Sequence, residues 1–199
     1  MLHKLAEDIS LYLITNKIID IEERDIYIYG IELLISTLLT SISILILAFF
    51  IGELVSAVIF LLIHFLLKSY TGGYHANYYY QCYIYSILNF IILIIAKTRI
   101  LLAYKPVVAL ALLVISIMII FKYAPVTNKN NPKTEEEISR NKKIARKRVL
   151  LLSLIPILGY VVKAELIDIW FMMALTIFSI AYSIVINIFM KRKEQIQEQ

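Results

Sequence analysis

The sequence predicts an all-α fold: a polytopic membrane helical bundle of about six transmembrane segments plus an N-terminal amphipathic interfacial helix. Hydrophobic residues make up 60% of the 199 positions and charged ones only 18%, with a mean hydropathy of +0.78, which is too apolar for a water-soluble globule of this size. The apolar residues fall in runs of roughly membrane-crossing length, separated by short polar pieces. Lysine and arginine collect on one side of the topology that these runs define.

Residues 1–29 open the chain with Leu2, Leu5, Ile9, Tyr12 and Leu13 at helical spacing and His3, Lys4, Glu7, Asp8 and Ser10 elsewhere on the wheel. That pattern suits a helix lying in the interface, as an anchor or as a docking surface for another amphipathic helix. Its acidic residues do not read as a cleavable signal. A first span follows over 31–51, Gly52-Glu53 turns the chain, and 54–67 returns as a short span whose Lys68 reaches for the surface. The third span covers about 78–96 and the fourth 101–121, where Pro106 is tolerated in a first turn. Residues 122–148 form a polar loop whose last third is a basic interfacial helix. The fifth segment, 149–162, is short and carries Pro156 and Gly159, which predicts a kinked or partly re-entrant piece. The sixth span is 166–190. The whole reads as one integral membrane domain, and its short spans are compatible with pairing of two copies.

With six spans, sixteen lysines and arginines lie on the side of the N-terminus, the 68–82 segment, the 122–148 loop and the C-terminus, against four on the other side. The positive-inside bias makes the first side cytoplasmic, in a cell membrane. The basic cluster beside a membrane span reads as a surface for anionic lipid and not for nucleic acid.

The stretch of chemical interest runs from Lys68 to Cys82 and holds the only cysteine, one of three histidines and Gly72-Gly73 in a chain with five glycines. A cysteine thiol is mostly protonated at neutral pH, and an imidazole that takes its proton makes it a working nucleophile. His75 is the nearest candidate. Seven residues of helix rotate by roughly 700° but rise by about 10.5 Å, too far for a hydrogen bond. A working His75–Cys82 pair therefore needs a bend, which Gly72 and Gly73 permit, with Cys82 in the first turns of the third span. Amide donors at that helix start would favour a thiolate and an oxyanion. Gln81 is a candidate oxyanion donor, Asn77 a partner for the imidazole, Ser86 a neighbour on the same helical face, and Lys68 a cation for thiolate or carboxylate. Arg146, Lys147 and Arg148 are candidates for binding an acidic part of a substrate.

Duller readings exist for each residue. Cys82 suits helix packing, the tyrosines 74, 78, 79 and 80 suit an interfacial belt, His64 suits a helix contact and His3 the interface. One cysteine and one histidine give only two ligands, with His64 the sole plausible third, so neither metal nor cofactor is expected.

The order Gly-Gly-x-His-Ala, then Cys82 between the second and third apolar spans of a roughly 200-residue membrane protein, resembles the accessory gene regulator protein B (AgrB) family. The amphipathic start, short spans, basic central loop and charged tail fit the same layout. The resemblance implies a membrane cysteine endopeptidase whose catalytic dyad is His75 and Cys82. Its substrate would be an AgrD-like propeptide with an amphipathic leader and an acidic tail. Removal of the tail through a thioester, then cyclisation to a thiolactone or lactone, would yield a quorum-sensing pheromone precursor. The family often has arginine where this chain has Lys68, which keeps the charge but not bidentate binding of a carboxylate. Two other classes fit the layout, a membrane peptide transporter or export component and a non-enzymatic scaffold.

Overall fold

The structure is a computed structural model and describes residues 2–72, 79–126 and 134–197. All regular elements among them are helical. Helix α1 (Leu2–Thr15) folds back on the start of α2 (Arg24–Phe50), and α3 (Leu54–Ile63) returns from the Gly52-Glu53 turn. A π-helical turn, His64–Lys68, extends α3 into the single helical turn α4 (Ser69–Thr71). Beyond the undescribed residues come α5 (Tyr79–Arg99), α6 (Lys105–Tyr123), α7 (Glu135–Val162) and α8 (Ile167–Gln197).

Five stretches are long and apolar enough to cross a membrane: Ile21–Phe50, Leu54–Thr71, Tyr80–Arg99, Leu102–Tyr123 and Ala164–Met190. They turn large apolar side chains outward, among them Leu38, Ile42 and Ile46 on α2, Leu88 and Ile92 on α5, and Leu110 and Met118 on α6. Such a girdle is costly in water and favourable in lipid. α8 is the most buried of the five and packs against α3, α5, α6 and α7. It brings small and polar residues to the centre, Ala174, Thr176, Ser179, Ala181 and Ser183. The hydroxyls of Thr176, Ser179 and Ser183 donate to carbonyls of their own helix, those of Met172, Thr176 and Ile180. Small residues allow close helix approach, which carries more weight in lipid because lipid tails are as apolar as leucine.

The expected amphipathic segment divides at residues 16–23. Only α1 lies apart, while residues 24–29 begin α2. α1 is tied down by His3 Nδ1, 2.6 Å from Glu32 Oε1, and by Arg24, whose Nη2 donates to Glu7 Oε1 at 3.3 Å. His3 is therefore a link between helices and not merely an interfacial group.

The larger departure from the sequence reading is α7. Its first turn is fixed by a capping box, in which Thr134 Oγ1 accepts from Glu137 N and the Glu137 carboxylate accepts from Thr134 N. Glu135, Glu136 and Glu137 add negative charge at the positive helix end. The expected basic interfacial helix and fifth segment are one continuous helix, with Pro156 inside it. Proline removes one backbone donor, and packing compensates: Gly159 lets the Trp170 ring of α8 approach so closely that a Cβ there would lie 2.4 Å from it. Trp170 Nε1 then donates to Lys163 O at 2.9 Å. At its other end the helix meets α6, where Arg146 Nη2 donates to Phe121 O at 2.7 Å. α7 thus accompanies α6 and α8 through the bundle, although its basic half keeps it outside the five stretches above.

Two ion pairs close the end of the bundle that holds the Gly52-Glu53 turn. Lys97 Nζ donates to Glu53 Oε2 at 2.6 Å and to Ser56 Oγ at 3.0 Å, and Ser56 Oγ donates to Glu53 at 2.5 Å. Lys105, almost fully buried, pairs with Asp168. Removing one partner of a buried pair leaves an uncompensated charge, so Lys97→Leu is expected to destabilise the detergent-solubilised protein by about 3 kcal/mol. The double change Lys97→Leu with Glu53→Gln should recover most of that loss in thermal melts. Gly159→Ala should lower the melting temperature through collision with the ring, and Trp170→Leu in the same chain should restore part of it.

Candidate active site

The described residues frame the Lys68–Cys82 segment from both sides. On the entering side, the π turn leads through α4 to Gly72, which adopts φ 68° and ψ −155°, a conformation that is essentially glycine's alone. A Cβ at Gly72 would lie 2.3 Å from Val126 O. Glycine is required there both for its torsion angles and for its lack of a side chain. The joint is fastened next door, where Val126 N donates to Thr71 O at 2.9 Å. Thr71 is buried, with its hydroxyl 3.2 Å from Leu67 O and 3.0 Å from Gly72 O. The chain therefore enters the candidate segment clamped against the stretch that follows α6.

On the leaving side, α5 begins at Tyr79, and Cys82 is its fourth residue, a half-buried free thiol. Ser86 Oγ donates to Cys82 O at 2.9 Å, so that hydroxyl is engaged by the backbone. Tyr83 OH donates to Ser43 Oγ on α2 at 3.0 Å, which fixes the rotation of α5 beside the thiol. Gln81 Nε2 reaches Tyr80 OH at 3.4 Å.

The ion pair at the far end joins the two helices that carry the ends of the segment: Lys68 is fifteen residues after Glu53, and Cys82 is fifteen residues before Lys97. Gly73, His75 and Asn77 lie outside the described residues.

The three basic candidates on α7 separate. Arg146 donates to Phe121 O and stacks its guanidinium 5.1 Å from the centre of the Phe121 ring. Arg148 Nη1 donates to Leu66 O at 2.6 Å, and its guanidinium lies 4.1 Å from the centre of the Tyr70 ring. Lys147 is exposed, as are Lys142 and Lys143. Two of the three cations named from sequence thus bind their own chain. His64 lies against Phe60 with ring centres 4.1 Å apart and the planes tilted by 39°, and its Nδ1 is 3.0 Å from Phe60 O, the helix contact that its position suggested. Among the described residues no group of three or more His, Cys, Asp or Glu side chains is placed to hold a metal ion.

Sequence reasoning did not find the part played by Val126, Tyr70 or the Glu53–Lys97 pair. The pair left a trace, since two opposite charges end apolar runs on the same side of the predicted topology. Val126 left none, because it contributes only backbone atoms.

No solved structure matches this chain. Among curated proteins, an AgrB-like protein of Clostridium perfringens (strain SM101 / Type A) is 29% identical over 167 residues, covering 81% of this chain and 78% of its own length. AgrB-like protein 2 of Clostridium perfringens (strain 13 / Type A) is 31% identical over 148 residues, 71% of this chain and 69% of its own length. The family profile described as Accessory gene regulator B matches residues 6–191. With nearly its whole length matched, and with a helical membrane bundle beneath it, this chain belongs to the accessory gene regulator B family.

Proposed function

We propose that this protein is a membrane cysteine endopeptidase that removes the C-terminal tail of an AgrD-like propeptide and passes the remainder on as a thioester for cyclisation. The observation that supports the reading is the placement of the only cysteine in the first described turn of α5, with the clamped Gly72 joint at the other end of the same segment, in a chain of this family. His75 completes the dyad that the resemblance implies.

The chemistry balances as follows. The imidazole of His75 takes the Cys82 proton, and the sulfur attacks the carbonyl carbon before the tail. The tetrahedral oxyanion is stabilised by donors at the helix start, for which the Gln81 amide is the side-chain candidate. Collapse breaks the C–N bond, His75 returns the proton to the leaving amine, and the tail departs. The acyl-enzyme is a thioester. A thiol of the propeptide then attacks it and gives up its proton to His75, and Cys82 leaves as thiolate. One thioester replaces another, so ring closure costs little. Water must be kept from the acyl-enzyme meanwhile, and a half-buried thiol at the edge of a lipid-covered bundle favours that.

The cytoplasmic placement of this end rests on the charge asymmetry. The bias is one of lysine and arginine count, sixteen against four, which is the quantity the positive-inside rule reads. Arg140, Lys142, Lys143 and Lys147 are the outward cations of α7, fitted to an acidic peptide tail and, beside exposed Leu150, Leu151 and Leu154, to anionic lipid headgroups.

Co-expression with the candidate propeptide, followed by mass measurement of the peptide, tests the reading. Cys82→Ala and His75→Ala should each reduce tail removal by about a thousandfold or more while the protein stays in the membrane. Tail removal that survives Cys82→Ala would leave a transporter or a scaffold as the better account. Gly72→Ala should also suppress processing, because the left-handed strain costs about 1–3 kcal/mol and the added methyl displaces Val126. Lys143→Glu with Lys147→Glu should weaken processing by raising KM, whereas unchanged cleavage would remove the charged face from the account of substrate binding.

A further inference from the structure

The π turn His64–Lys68 is the one irregularity in an otherwise continuous run from Leu54 to Thr71. A π turn holds one residue more than an α turn, and such turns cluster at functional sites. Relaxing it to regular helix would rotate everything beyond it by roughly 100° and displace it by about 1.5 Å. The residues beyond it are Ser69 to Gly72, and they are not free to rotate. Thr71 O must meet Val126 N, and Gly72 must face Val126 O. The extra residue therefore sets the register at which the chain enters the candidate segment.

One side chain from elsewhere in the fold holds that turn. Arg148 donates to the carbonyl of Leu66 inside the π turn and covers the ring of Tyr70 one turn further on. Two residues earlier on α7, Arg146 holds the carbonyl and ring of Phe121. Phe121 lies near the end of α6, just before the stretch that carries Val126. The two arginines thus hold, from one helix, both strands of chain that meet at the Thr71–Val126 joint. A guanidinium suits this task because it is flat enough to stack and can donate in its own plane at the same time.

We propose that Arg148 is a positioning residue for the Cys82 site: by holding the π turn and Tyr70 it fixes the register of Lys68 to Gly72, and it does not bind substrate. The assignment rests on the peptidase reading above and goes beyond it, since it moves Arg148 from the substrate to the scaffold. Misplacement by about 1 Å in a catalytic group can cost on the order of a hundredfold in rate. Arg148→Ala is therefore expected to lower kcat by about 10- to 100-fold for tail removal, with KM changed by no more than about twofold. Arg148→Lys, which keeps the charge but not the planar fork, should recover only part of the loss.

The test combines those kinetics with a reading that needs no substrate. Cys82 is the only cysteine, so the rate of its alkylation by iodoacetamide as a function of pH, in the full chain in lipid vesicles, reports on that thiol alone. Wild type, His75→Ala, Arg148→Ala and Tyr70→Leu are compared. The inference expects Arg148→Ala to move the profile toward that of His75→Ala, and Tyr70→Leu to move it the same way. A raised KM with unchanged kcat, or full recovery by Arg148→Lys, would overturn it in favour of an ionic grip on the substrate. A wild-type alkylation profile in Arg148→Ala would overturn it as well. Should Arg148→Ala fail to fold, Tyr70→Leu keeps the hydrogen bond to Leu66 and carries the same readouts. An unshifted profile in His75→Ala would instead remove the cysteine–histidine pair itself, which separates failure of the underlying reading from failure of this one.

Discussion

The contact between Glu53 and Lys97 joins the first helical turn-around of the bundle to the end of α5. It is largely shielded from solvent, the two side chains being 20% and 12% exposed, and Ser56 satisfies part of its hydrogen-bonding capacity. An ion pair in such surroundings is held by strong attraction and cannot slide without loss of its partner. Two helices of opposite direction are thereby tied at one end, and the Lys68–Cys82 segment connects them at the other.

Around the Thr71–Val126 joint the contacts differ in kind from those at the Glu53 end, although charge pairs also tie α1 to α2. At the Glu53 end, carboxylates meet ammonium groups, in the pairs Glu53–Lys97 and Lys105–Asp168. At the joint, Arg146 and Arg148 of α7 meet neutral carbonyls and ring faces, and a glycine lies against a backbone oxygen. Between them α8 contributes shape, with small residues and hydroxyls that bond within their own helix. Charge pairing resists separation of the helices, whereas stacking and carbonyl contacts fix orientation. Orientation is what a catalytic pair in the Lys68–Cys82 segment requires.

Much of this was legible in the sequence because lipid imposes simple rules. Apolar runs gave the membrane-crossing helices, and the Gly52-Glu53 turn stands where the sequence puts it, whereas α2 begins before its predicted span, at Arg24, and α7 begins far before its own, at Glu135. The family resemblance was carried by a few residues around Gly72 and Cys82, and the profile match over residues 6–191 bears it out. What the sequence concealed was pairing at long range. Arg148 and Leu66 are 82 positions apart, and nothing in periodicity links them. Pro156 and Gly159 did not end the helix: α7 runs continuously through both, and the lack of a side chain at Gly159 admits the Trp170 ring of α8. The basic run at 140–148 looked like one uniform surface. Burial of Asn141, Ala145 and Val149 on one face of the helix divides it into cations turned toward the bundle and cations turned away.

The length of the Leu54–Thr71 run has a bearing on the surroundings. Its 18 residues make about 27 Å of helix, slightly less than a hydrocarbon layer of about 30 Å, so lipid beside α3 thins or the Gly72 end sits below the headgroups. Either response makes acyl chain length part of the environment of the thiol. A membrane with shorter or more disordered chains would raise that end toward water, and a thicker, more ordered one would sink it, so the composition of the cell's own lipid becomes a dial on how wet the cysteine is.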